Sequence, residues 1–140
     1  MMTMNGQVED EVDNQKAGEQ VFQYPYFIAT TSSGDIFVSD YGTHIIIQMD
    51  RTLCITQTFT SHMLTSPLGI VSVSTDQLLV ADRDSHSIVV LNPTSGTVTP
   101  LLGQADGIQK TRAVAWCPAS KKLYVSRCGN QKVLIVFSKK

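Results

Sequence analysis

The chain has 140 residues, enough for one ordinary domain, and its composition is globular: 42% hydrophobic, 16% charged, net charge -1. No apolar stretch approaches the roughly 18 residues that a membrane helix needs, and no basic-then-apolar secretory leader opens the sequence. Three cysteines, Cys54, Cys117 and Cys128, cannot all pair within the chain, which points to a reducing compartment; a cytoplasmic protein without a membrane partner is expected.

In chain order, residues 1–22 come first. They hold Glu9, Asp10, Glu11, Asp13 and Glu19 against one basic residue, Lys16. Low hydrophobicity without a period predicts an acidic disordered leader. A repeated region spans 23–140, with repeats at about 24–65, 66–107 and 108–140. Its signature is a phrase written three times: Asp35-Ile36-Phe37-Val38-Ser39-Asp40, Gln77-Leu78-Leu79-Val80-Ala81-Asp82 and Lys122-Leu123-Tyr124-Val125-Ser126-Arg127. Val38 to Val80 is 42 residues and Val80 to Val125 is 45. A period of roughly 40–50 residues built on short apolar runs predicts a propeller or solenoid.

Repeat 1 predicts strands at 24–30, 36–40 and 44–49. An alternating outer strand follows at 54–60, with turns at Ser32–Asp35 and Tyr41–Thr43. Repeat 2 predicts strands opening at 67–71, then 77–82, 87–91 and 97–102, with a turn at Asn92–Gly96. Repeat 3 predicts strands at 113–117, 123–127 and 132–137 and lacks its outer strand. The second and third strands are nearly unbroken apolar runs, as suits strands covered on both faces. Stacked four-stranded blades supply such cover. β-branched residues dominate and no helical period appears, which argues against a helical solenoid. The expected fold is all-β: a partial propeller of about three four-stranded antiparallel blades.

The pattern Pro-x-x-Ile, a Gly-Asp turn, x-Val-x-Asp, then His-x-Ile resembles the NHL repeat. Pro25, Ile28, Gly34, Val38, Asp40, His44 and Ile46 carry it in repeat 1. Pro67, Gly69, Ile70, Val80, Asp82, His86 and Ile88 carry it in repeat 2. The resemblance covers about residues 20–137 and implies a propeller, usually of six blades. In animals such propellers often end tripartite-motif proteins that carry a RING module upstream. No cysteine/histidine zinc framework is present here, so the resemblance implies the substrate-facing part alone. Repeat 3 departs from the pattern. Arg127 and Gln131 stand where Asp and His stand, and Arg112 replaces the opening proline, with one extra residue before Val125.

The Asp-x-x-x-His pairs, Asp40 with His44 and Asp82 with His86, flank the turn between second and third strands. They are predicted to bond each other, since an unpaired buried polar group costs on the order of 1–3 kcal/mol. The joint change to Arg127 and Gln131 fits that reading. Zinc wants three or four converging ligands, so no metal and no cofactor is expected. No nucleophile elbow, phosphate loop or Cys-x-x-Cys is present. The expectation is therefore a non-enzymatic module, with a fragment of a propeller lyase or lactonase as the enzymatic alternative.

The loops carry the functional expectation. One propeller face is predicted to hold Tyr24, Tyr26, Tyr41, Arg83, Lys110, Arg112, Arg127 and Lys132. Beyond Gly107 there are eight basic residues and no acidic one. Tyrosines and arginines are preferred anchors of protein interfaces, which predicts a protein-interaction scaffold and, with the resemblance, substrate recognition for a tripartite-motif-like ubiquitin ligase. Cations beside aromatics also suit single-stranded RNA, the alternative reading. His62, Met63 and Trp116 are assigned packing only. Three blades leave two apolar blade faces open. A homodimer closing a six-bladed ring is one expectation, and Ala17–Gln23 is a candidate for the missing outer strand.

Overall fold

The computed structural model describes residues 22–74, 76–127 and 134–138. Most of the predicted leader, together with Gln131 and Lys132, lies outside these residues.

Among the described residues, eleven strands form three antiparallel sheets. The first holds β1 (Pro25–Thr30), β2 (Ile36–Asp40), β3 (Ile45–Met49) and β4 (Ile55–Phe59) in sequential order. The second holds β5 (Pro67–Ser74), β6 (Gln77–Asp82), β7 (Ser87–Asn92) and β8 (Thr97–Leu102), again in sequential order. The third holds β9 (Thr111–Cys117), β10 (Lys122–Arg127) and β11 (Leu134–Ser138). The partial propeller expected from the repeats is therefore present: two four-stranded blades and one described with three strands. One short 3-10 turn, Gln104–Asp106, joins the second blade to the third.

Turn chemistry sets the hairpins. Gly34 sits at φ +92 in the β1–β2 turn, a conformation that costs glycine little. Asn92 Oδ1 accepts from the amides of Thr94 and Ser95 and closes the β7–β8 turn, with Gly96 at φ +75.

Two apolar seams join the blades. Phe37, Ile46 and Phe59 of the first blade pack with Ile70, Leu78, Val80, Val89 and Leu91 of the second. Leu79, Ala81 and Ile88, from the opposite face of the second blade, pack with Val114, Leu123 and Val125 of the third. Burying each large aliphatic or aromatic side chain stabilises by about 1.5–3 kcal/mol. The central blade is thus covered on both sides, which explains its unbroken apolar runs. Met63 packs against the first seam and Trp116 against the second, as packing residues. Ser39 adds a buried polar link, accepting from the Phe27 amide at 3.2 Å and donating to the Leu68 carbonyl at 2.6 Å.

Two expectations need correction. Thr111, not Arg112, replaces the opening proline: Thr111 pairs with Arg127 as Pro25 pairs with Asp40 and Pro67 with Asp82. The extra residue falls outside the paired ladder, in the β9–β10 turn, so Val114 still faces Val125 as Ile70 faces Val80. Arg112 therefore occupies the position of Tyr26 and Leu68. Second, the outward face of the first blade is not open at its centre. Val38, Ile47 and Met49 are buried, with Phe22, Ile36 and Ile45 packed against them. The apolar exposure lies along β1, where Ile28 is 65% exposed.

Candidate functional site

In the first two blades the approach and the turn between the second and third strands lie together. The backbone shows this directly, since Tyr41 N–H donates to the Tyr24 carbonyl and Arg83 N–H to the Ser66 carbonyl. Equivalent positions are therefore Tyr24, Ser66 and Lys110, and separately Tyr26, Leu68 and Arg112. This rim is aromatic at the first blade and cationic towards the third.

The aspartates hold the rim in shape. Asp40 is buried, and its carboxylate accepts from the amides of Gln23 (2.7 Å), Tyr24 (2.9 Å), Gly42 (3.0 Å) and Thr43 (3.2 Å). Asp82, also buried, accepts from the amides of Thr65 (2.7 Å), Ser66 (3.1 Å) and Ser85 (3.2 Å), and from the Thr65 hydroxyl (2.6 Å). Each carboxylate thus ties a blade's own lead-in segment to its own turn. Such charge-assisted bonds are about twice as strong as neutral ones.

The predicted Asp–His bond is not how these pairs work. Both histidines sit in the left-handed region, His44 at φ 63 and His86 at φ 52. That backbone turns each ring away from its aspartate and towards the next blade. His44 Nδ1 bonds the Thr65 carbonyl, and His86 Nδ1 accepts from the Lys110 amide at 2.9 Å. Aspartate braces within a blade and histidine braces between blades.

Four of the eight predicted contact residues converge. Tyr24 and Tyr41 stack with centroids 5.3 Å apart at 15°, and Tyr26 meets Tyr41 edge-on at 6.1 Å and 73°. Arg112 lies 5.7 Å from the centroid of the Tyr26 ring, and its Nε donates to the Tyr26 hydroxyl at 2.5 Å. This contact joins residues 86 apart, from the first blade to the third. Tyr24 and Tyr26 are 55% and 39% exposed, so the cluster faces solvent.

Arg83 pairs with Asp84 at 3.1 Å. The Ser66 hydroxyl, 2.6 Å away, and then Arg83 hold the Asp84 carboxyl below its usual range. Lys110 is an exposed lead-in residue, and Arg127 is placed only by its pairing with Thr111. Lys132 lies outside the described residues. Among the described residues, no three His, Cys, Asp or Glu side chains gather as a metal site would require. Sequence reasoning missed Thr65 and Ser66, which satisfy Asp82. Residues 16 or 17 positions away carry no local signal of that role.

The sequence model of the NHL repeat matches residues 64–91, the lead-in and first three strands of the second blade. Residues 64–91 are an NHL repeat. Comparison with curated proteins gives no match. Among solved structures, the chain is similar to a nidogen/laminin complex at 16% identity and a TM-score of 0.69, covering 80% of this chain and 43% of that one. It is similar to virginiamycin B lyase from Staphylococcus aureus at 18% identity and 0.62, covering 87% and 44%. It is also similar to a luciferin-regenerating enzyme at 21% identity and 0.62, covering 81% and 40%. The chain spans less than half of each of these proteins. Identities this low establish the fold, a partial propeller, and leave function to be argued from the site.

Proposed function

We propose that this chain is a non-enzymatic protein-binding module that contacts its partner through Tyr24, Tyr26, Tyr41 and Arg112. The carrying observation is that three tyrosines and an arginine from opposite ends of the sequence meet at an exposed rim. Tyrosine and arginine dominate interface hot spots because they combine large contact area with directed hydrogen bonds. A propeller within a nidogen/laminin complex is consistent with such a role. On this reading the module serves as the recognition end of a larger assembly in the cytoplasm, and a tripartite-motif-like ubiquitin ligase is the assembly we favour.

A photo-crosslinking residue at position 24 tests the reading, with the same residue at position 99 on the outer strand β8 as control. Crosslinks to a defined protein from position 24, lost in Arg112→Ala, support it. Equal yields from both positions contradict it.

The basic side of the rim favours a second reading, single-stranded RNA. Phosphate contacts make RNA binding steeply salt-dependent. A mobility shift with short single-stranded RNAs that weakens as salt rises supports RNA, and no shift at low salt removes it. We further infer that two chains associate, since two sets of three blades complete a six-bladed ring. Light scattering at twice the 15.3 kDa chain mass supports this association, and a stable monomer overturns it.

A further inference from the structure

We propose that His44 and His86 grip equivalent lead-in peptide units of the blade that follows each, at opposite ends of the unit, and that this makes the second seam, but not the first, sensitive to acid. The proposal stands on backbone geometry and is independent of what the rim binds.

Thr65 C=O and Ser66 N–H belong to one peptide unit. In the third blade the counterpart of Ser66 is Lys110. At the first seam the Ser66 amide is already taken by the Asp82 carboxylate. Only the carbonyl end remains, and His44 Nδ1 bonds it. A nitrogen facing a carbonyl must carry the proton, so His44 is protonated on Nδ1. At the second seam Arg127 stands in the aspartate's place, and no carboxylate is offered to the Lys110 amide from that position. Lys110 lies at φ 43, and its N–H points to His86 Nδ1 at 2.9 Å. A nitrogen accepting from an amide must be bare, so neutral His86 carries its proton on Nε2. The Asp-to-Arg change in the third repeat thus reverses the tautomer of a histidine in the second.

Acid separates the two. Imidazolium carries N–H on both nitrogens and cannot accept. His44 keeps its donor when protonated, whereas His86 loses its acceptor and strands the Lys110 amide. On the turn of His86 itself stand Arg83 and Asp84, and on the adjoining third blade Lys110 carries the amide that bonds it.

The test is nitrogen NMR on the full chain. Two-bond correlation spectra at about pH 8 are expected to show His44 protonated on Nδ1 and His86 on Nε2. Between about pH 8 and about pH 5, the exchange protection factor of the Lys110 amide is expected to fall at least about tenfold, and that of Ser66 less than about twofold. His86→Gln, whose side-chain carbonyl accepts at any pH, is expected to hold Lys110 protected throughout. The same tautomer at both histidines, or unchanged protection of the wild-type Lys110 amide in acid, overturns the proposal. The tautomer readout needs no variant, so a poorly folded His86→Gln protein leaves the test intact.

Discussion

Asp82, like Asp40, is a buried carboxylate that holds a blade's lead-in segment. It gathers three amides and a hydroxyl from two segments while fully buried. Hydrogen bonds to a charged group contribute about 1.5–3 kcal/mol, so Asp82→Ala is expected to cost about 3 kcal/mol in urea unfolding. Arg83→Gln, one residue on, is expected to stay within about 0.5 kcal/mol, as a surface change should. Asp84 gives a pH signature. Its carboxyl is held below the usual range chiefly by Ser66, so it stabilises the fold above the unfolded-state value. That contribution is lost as pH falls through the lower, folded-state value. Ser66→Ala is expected to raise the Asp84 carboxyl towards the usual range, read by carbonyl NMR titration. An unmoved titration contradicts the role of the hydroxyl.

At the level of strands, the seams depend on close backbone approach as much as on apolar side chains. Gly69 in β5 shows this: an added Cβ lies 2.9 Å from both Ala113 Cα and the Arg112 carbonyl oxygen. Those atoms are backbone and cannot swing aside. Gly69→Ala is therefore expected to cost about 1–3 kcal/mol, with chemical denaturation as the measure. Strand positions were legible in the sequence because apolar runs and turn residues recur locally. Only the ends shifted, as where β5 runs on to Ser74. The role of the histidines was not legible. His44 and Asp40 are four residues apart and look like partners across a turn. A left-handed backbone at His44 redirects the ring, and the four-residue spacing gives no sign of it. Likewise the alignment of Arg112 with the opening proline failed because the extra residue falls in the β9–β10 turn rather than within a strand.

Across the molecule, the rim of three blades places a tyrosine cluster and an arginine at one surface and leaves β1 exposed. The composition of this surface could be read from the loops. Its arrangement could not, because Tyr26 and Arg112 meet only when three blades curve round a common axis. The central claim is that the cluster serves contact rather than stability. Urea unfolding of the Tyr26→Ala/Arg112→Ala double variant tests it most directly. An exposed hydrogen bond and cation–π contact together predict a loss of no more than about 2 kcal/mol. A loss of about 4 kcal/mol or more is the scale of a buried brace, and it would show that the cluster holds the blades together and contradict its assignment as the binding surface.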